Sequence, residues 1–147
     1  YRDMVEQTPD LIVHLGDYIY EDGGTTTGVR QVPGAEIMTL DDYRRRYAVY
    51  RSDPLLQAAH AACPWIVTWD DHEFDNNCAG DISEHSNVSV EDFLKRRVAA
   101  YQAYYENMPL RGAQRPEGSH LKLYRTLQIA DLATFHVLDT RQYRSDQ

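Results

Sequence analysis

The chain has only two cysteines, no apolar run approaching the roughly 18 residues that cross a bilayer, and no lysine or arginine between Ser52 and Leu94. Each shortage excludes something. No Cys-x-x-Cys pair is present to suggest a thiolate zinc site. Cys63 and Cys78 flank an Asp-Asp-His-Glu segment, and either a disulfide pinning that loop or two free buried thiols fits them. There is no transmembrane segment, and Tyr1-Arg-Asp-Met-Val-Glu6 has no signal-peptide character, so the compartment is not encoded here. A formal net charge of −8 argues against a general binder of nucleic acid or anionic membrane, whose affinity comes from neutralising phosphates with Lys and Arg. Arg44-Arg45-Arg46 is the one basic run, and a solvated helix face accounts for it.

At 147 residues, with 42% apolar and 26% charged side chains, the chain suits a single soluble domain able to bury a sizeable core. Three short apolar runs end abruptly in carboxylates: Leu11 to Asp17, Trp65 to Glu73, and Phe135 to Asp139. The runs are too short and too β-branched for helices and lack the alternation of half-exposed strands, so they read as buried central strands. In open α/β sheets ligands bind beyond the carboxyl ends of such strands, which would gather Asp17, Asp70, Asp71 and Asp139 on one edge. Carboxylates crowded together either take up protons or hold cations. Nine acidic residues fall between Ser52 and Leu94, and no local basic residue can neutralise Asp70 and Asp71. For Asp75, Asp81 and Glu84, solvated loop positions and cation ligation fit equally.

The remaining elements follow from caps and periodicity. Arg2 to Gln7 reads as the end of a helix. A Gly-Thr-rich stretch from Asp22 to Gly28, continuing toward Pro33-Gly34, predicts a mobile excursion over the strand-end crevice. Asp41 to Arg51 carries Tyr43, Tyr47 and Tyr50 on one helical face. Asp53-Pro54 caps a helix over Leu55 to Ala62, closed by Pro64. Ser89-Val-Glu-Asp92 resembles a capping box opening a long helix with Leu94, Val98, Tyr101, Tyr105 and Met108 on one stripe, ending near Pro109. Leu121 to Ile129 and Leu132 to Leu138 predict a hairpin turning at Ala130-Asp131. The order is α-β-α-α-β-α-β-β, an α/β layered domain with no internal repeat.

Two stretches carry the chemistry. Gly16-Asp17-Tyr18-Ile19-Tyr20-Glu21 supplies a glycine for a sharp turn, a carboxylate able to bridge two cations, and a phenol whose anion suits ferric iron. Beside a trivalent ion that phenol should ionise well below its usual value of about 10. Trp69-Asp70-Asp71-His72-Glu73 places ligands and an acid-base candidate within one turn, and His72 could protonate a leaving group or steady a phosphoryl oxygen. Asn76-Asn77 could offer carbonyl oxygens to calcium or simply turn the chain.

Together, His14-Leu-Gly-Asp17-Tyr-Ile-Tyr20-Glu21, Pro64-Trp-Ile-Val-Thr-Trp-Asp-Asp-His72-Glu73 with Asn76-Asn77, and Leu138-Asp-Thr-Arg141-Gln-Tyr-Arg144 resemble the PhoD family of alkaline phosphatases and phosphodiesterases over nearly the whole chain. The resemblance implies a metallophosphatase four-layer α/β/β/α sandwich, secreted or periplasmic, that hydrolyses phosphate esters with Fe3+ and Ca2+. By the same resemblance Asp17 is a bridging ligand, Tyr20 a ligand of ferric iron, and Asp70, Asp71 and Asn77 ligands of the remaining ions. It leaves open which of Asp70 and Asp71 touches an ion directly. His72 matches the histidine of the wider Asn-His-Glu signature, with Asp71 in the Asn place, and Arg141 of the Asp-Thr-Arg motif is a phosphate contact. Such a centre would activate water and clamp the phosphoryl oxygens, needing no side-chain nucleophile.

The family's cysteine-containing metal motif lies just before the start of this chain, and further Asp and His ligands lie beyond Gln147. Residues 1–147 are thus expected to be a single partial catalytic domain, of doubtful activity by itself. Two other readings stand beside a phosphomonoesterase or phosphodiesterase. One is a phospholipase D-like phosphodiesterase on the same fold; the other is a non-catalytic calcium-binding module. Tyr20 discriminates against the last, because calcium has little use for a phenolate.

Overall fold

A computed structural model describes residues 1–24, 31–32 and 34–146. The elements follow the expected order: α1 (Arg2–Glu6), β1 (Ile12–His14), α2 (Leu40–Arg51), α3 (Pro54–Ala62), β2 (Trp65–Val67), α4 (Val90–Asn107), β3 (Arg125–Ile129) and β4 (Ala133–Val137). Most of the Gly-Thr-rich excursion lies outside the described residues.

Local chemistry sets the helix starts. Thr39 and Asp42 form a reciprocal capping box at α2. Asp53 accepts hydrogen bonds from the Leu55 and Leu56 amides ahead of Pro54 at the first position of α3, and Ser89 accepts from Asp92 at α4. Two parallel strands need a crossover, which α2 and α3 provide. β1 and β2 pair in parallel with Ile12 opposite Trp65 and His14 opposite Val67. Their carboxyl ends therefore emerge side by side, with Gly16-Asp17 beside Trp69-Asp70. β3 and β4 form a separate antiparallel hairpin through Ala130. The Arg125 guanidinium donates to the Val67 carbonyl at 2.9 Å, and the Thr68 hydroxyl donates to the Leu138 carbonyl at 2.8 Å. These bonds bring the segment after β4 to the same edge.

The core is aromatic. Trp69, immediately before the acidic segment, stacks on Tyr101 at 4.2 Å between centroids and meets Tyr104 edge-on at 5.3 Å. Phe74 also meets Trp69 edge-on at 6.4 Å, and Tyr43, Tyr47 and Phe93 belong to the same buried cluster.

Several expectations need correction. Only β2 is buried throughout. In the first run Val13 is 44% and Leu15 74% exposed, and β4 alternates between half-buried and exposed positions before ending on the buried Val137. Side chains project from the faces of a sheet, and among the described residues nothing covers the faces that carry Val13 and Leu138, so these apolar side chains meet solvent. The buried face of α4 is also rotated from the expected stripe. Phe93, Ala100, Tyr101 and Tyr104 point inward, whereas Val98 is exposed. Two arginines share that inward face because each finds a partner. Arg96 pairs with Asp75 at 2.7 Å, and Arg97 donates to the Gly80 carbonyl and pairs with Asp81. Asp75 is thus a buried structural anion and not a solvated loop position.

Arg46 likewise departs from a solvated helix face. It is buried, donating to the Tyr20 carbonyl and to the Asp22 carbonyl at 2.8 Å, while Arg44 pairs with Glu106 and Arg45 with Asp42. Cys63 and Cys78 are free thiols.

Trp69→Ala, which deletes the ring at the centre of this aromatic cluster, should lower unfolding free energy by about 3–5 kcal/mol, read as a shift of the guanidinium midpoint.

Candidate metal centre

The two parallel strand ends approach so closely that a side chain cannot stand between them. Gly16 has φ +120°, and a Cβ there would lie 2.3 Å from the Asp70 nitrogen. Asp17 follows with φ +55°, a left-handed conformation that asparagine and aspartate tolerate better than most residues. The turns leave backbone N–H groups that no strand partner satisfies. Glu73, only 1% exposed, satisfies them. Its carboxylate accepts from the Tyr18 amide at 2.5 Å, the Asp17 amide at 3.1 Å and the Asp70 amide at 2.7 Å. One side chain therefore ties both strand ends. Burial pushes its carboxyl up to about 7, against the opposing pull of those three N–H groups.

Around this clamp, ligand atoms of Asp17, Asp71 and His72 lie within 4.8 Å of one another. Asp17 Oδ1 is buried and has no hydrogen-bond partner, while burial raises its pKa and the His72 charge lowers it, with Asp70 and Asp71 adding to the rise. An unpartnered buried carboxylate oxygen beside a second carboxylate and an imidazole fits a hard or borderline cation. Tyr20 approaches from one side: its hydroxyl is 3.4 Å from Asp17 Oδ2 and its ring 4.2 Å from that of His72. Burial and the Asp17 carboxylate push this phenol above its usual value, the direction that a bound cation would reverse.

His72 Nδ1 lies 2.7 Å from Glu21 Oε2. Burial alone would lower the imidazole pKa, but the Glu21 hydrogen bond and charge, with Asp71 and Asp17, leave it raised.

Arg141 changes the expected electrostatics. Its Nε donates to Asp70 Oδ1 and its Nη2 lies 3.0 Å from Asp71 Oδ1. The absence of local basic residues therefore does not leave these carboxylates unneutralised, because a guanidinium 71 residues further along the chain folds onto them. Asp139 does not join the cluster. Its carboxylate accepts from the amides of Arg141 at 3.0 Å and Gln142 at 2.8 Å, fixing the turn that aims Arg141.

Asn77 donates its backbone N–H to Asp71 Oδ2 at 2.6 Å, while its side-chain amide donates to Glu84 at 2.9 Å, as Asn76 also does at 2.7 Å. The Asn77 side chain thus faces Glu84 and not the cluster. Of the expected ligands, Asp17, Tyr20 and Asp71 come together and Asp70 is held by Arg141. His72, expected in an acid-base role, lies within ligand distance as well.

Sequence reading gave no role to Glu21, to Glu73 as a clamp, or to Arg46. Glu21 and Glu73 sit inside the quoted motifs, so a signal was present, but apart from the Asp70 amide, three residues from Glu73, their backbone and imidazole partners lie 51 to 56 residues away in the chain.

A protein-family model described as PhoD-like phosphatase matches residues 1–147. Over its whole length the chain is 57% identical to alkaline phosphatase D of Bacillus subtilis (strain 168), of which it covers 26%. A solved structure titled "Structure of PhoD" superposes with a TM-score of 0.94 at 57% identity, covering all of this chain and 29% of that one. The likeness supports the α/β class, and the chain spans under a third of either relative.

Two outcomes test the clamp. Gly16→Ala should destabilise the chain by more than about 1 kcal/mol in denaturant titrations, since alanine must adopt φ +120° against the Asp70 backbone. The second concerns pH. Glu73 titrates near 4.3 when unfolded, by reference values of roughly that size, and at about 7 when folded. Between those values the folded chain holds a proton that the unfolded chain releases, so stability is lost as pH rises through this window. The raised values of Asp17 and His72 act in the same direction. Midpoints of cation-free protein should fall from about pH 5 to about pH 7, and Glu73→Gln should flatten the decline.

Proposed function

Because the chain belongs to the PhoD-like phosphatase family, we propose that it forms part of the catalytic domain of a metal-dependent hydrolase of phosphate mono- or diesters, within a four-layer α/β/β/α sandwich in a secreted or periplasmic enzyme. The observation that carries this reading is the Asp17, Asp71 and His72 cluster, whose ligand atoms lie within 4.8 Å of one another and in which Asp17 Oδ1 is buried without a partner. It occurs on a chain 57% identical to an alkaline phosphatase D.

Fe3+ and Ca2+ are the cations proposed, with Asp17 bridging, Tyr20 on iron, and Asp71 ligating. Asp70 joins where Arg141 releases it, and Asn77 where its amide leaves Glu84. Bound there, the cations would supply Lewis acidity and a lowered pKa for water.

The chain's own residues have roles in phosphoryl transfer that follow from their surroundings. His72 is held protonated more readily than a free imidazole, which suits proton donation to a leaving-group oxygen. Arg141 has one buried guanidinium nitrogen, Nη1, without a partner, and this donor is available to a phosphoryl oxygen of the ester. Tyr20 stands half-exposed over His72, between the cluster and solvent. No helix among the described residues is long and apolar enough to cross a membrane.

The complete protein tests this. Elemental analysis should find iron and calcium, and a visible tyrosinate-to-iron band should vanish in Tyr20→Phe. Asp71→Asn and His72→Ala should each lower p-nitrophenyl phosphate turnover by about 10²–10⁴-fold with circular dichroism unchanged. Wild-type turnover in both variants would place the reacting centre elsewhere, and an iron-free, calcium-loaded protein would overturn the iron assignment.

A further inference from the structure

Glu21 ends the Gly16-to-Glu21 segment and has no place among the ligands or phosphate contacts. Yet its side chain is 1% exposed. A carboxylate removed from water to that extent costs several kcal/mol unless it is bonded. Its Oε2 lies 2.7 Å from His72 Nδ1. Three further contacts hold its backbone. The Ile37 amide donates to the Glu21 carbonyl at 3.0 Å, and the buried Arg46 guanidinium of α2 donates to the carbonyls of Tyr20 and Asp22 on either side. The carboxylate is thus built into the molecule from a helix, and is not a loop side chain that happens to reach a histidine.

The imidazole is confined on its other sides as well. The Tyr20 ring covers it at 4.2 Å, and one of its ring nitrogens lies within 4.8 Å of the Asp17 and Asp71 carboxylates. A carboxylate that accepts only can bond Nδ1 in one way, with the proton on Nδ1. Nε2 is then the nitrogen left for a cation or a phosphoryl oxygen. Without that bond the ring could rotate and exchange its two nitrogens.

We propose, resting on the phosphoesterase reading above, that Glu21 is a positioning residue for His72: with its backbone held by Arg46 and Ile37, its buried carboxylate accepts the Nδ1 proton and fixes the ring with Nε2 toward Asp17 and Asp71. Glu21 touches neither ester nor cation. Its effect passes through the histidine.

The test uses the complete protein with ¹⁵N-labelled histidine, first without added metal at a pH where the ring is neutral. The His72 resonances should report the Nδ1–H tautomer. In Glu21→Ala they should move toward the Nε2–H form or the exchange average of a ring free in water. Turnover of p-nitrophenyl phosphate should fall about 10–100-fold in kcat with KM little changed. Glu21→Gln, whose amide oxygen can still accept the Nδ1 proton, should recover the tautomer and most of the lost kcat.

An Nε2–H tautomer in the wild-type protein would overturn the proposal without any variant having to fold. So would wild-type tautomer and kcat in Glu21→Ala. Failure of the underlying reading has a different signature, in which His72→Ala itself turns over normally while the Nδ1–H tautomer is still observed.

Discussion

The carboxylate of Glu73 is the interaction on which the site depends. Two parallel strands that stop side by side leave amides facing one another with no ladder partner, and at Gly16 there is no room for a Cβ to separate them. A single buried acceptor satisfying the amides of Asp17, Tyr18 and Asp70 removes that penalty and sets the distance between the two acidic segments. The clamp is itself a carboxyl in a buried position, and that burial moves it up to about 7 against the pull of the three N–H groups. The affinities of Asp17 and His72 for protons are also raised, at Asp17 by burial with Asp70 and Asp71 beside it and at His72 by the Glu21 hydrogen bond and charge. The share of the Asp17 rise that comes from Asp70 and Asp71 is the part a cation would relieve, because it arises from neighbouring negative charge.

Arginines distribute the remaining compensation, each in a different way. Arg96 neutralises Asp75 inside the core, Arg46 satisfies carbonyls flanking Glu21, and Arg141 bridges Asp70 and Asp71. None is adjacent in sequence to what it neutralises. Planar, multidentate guanidinium groups can serve buried carbonyls and carboxylates with little loss of geometry, which a lysine ammonium would do less well. The aromatic cluster around Trp69 supports this arrangement mechanically. Trp69 lies directly before Asp70, so its stacking on Tyr101 fixes where the acidic turn begins.

Much of the architecture was legible in the residues. Asp53-Pro54, Ser89 and Pro64 marked helix limits, because caps and proline act through the few backbone groups next to them. The acidic endings of the first two apolar runs supply the Asp17, Asp71 and His72 cluster, and the resemblance their motifs carry agrees with the family to which the chain belongs. Burial was less legible. Leu15 and Val13 have every local mark of a core strand, yet whether an apolar side chain is covered depends on what packs above it, and among the described residues nothing covers these two. The face of α4 was misjudged for the related reason that Arg96 and Arg97 look like solvated positions until their partners are known.

The sequence by itself determined the order of elements, the two acidic strand ends and the candidate ligand types they carry, since these depend on contacts within a few residues. Only tertiary structure decided that Arg141 falls on Asp70 and Asp71, that Glu73 binds both strand ends, that Glu21 holds His72, and that the Asn77 side chain turns to Glu84. Charge balance in a folded protein is set by distance through space, and the Arg141 and Glu21 contacts join residues 71 and 51 positions apart along the chain.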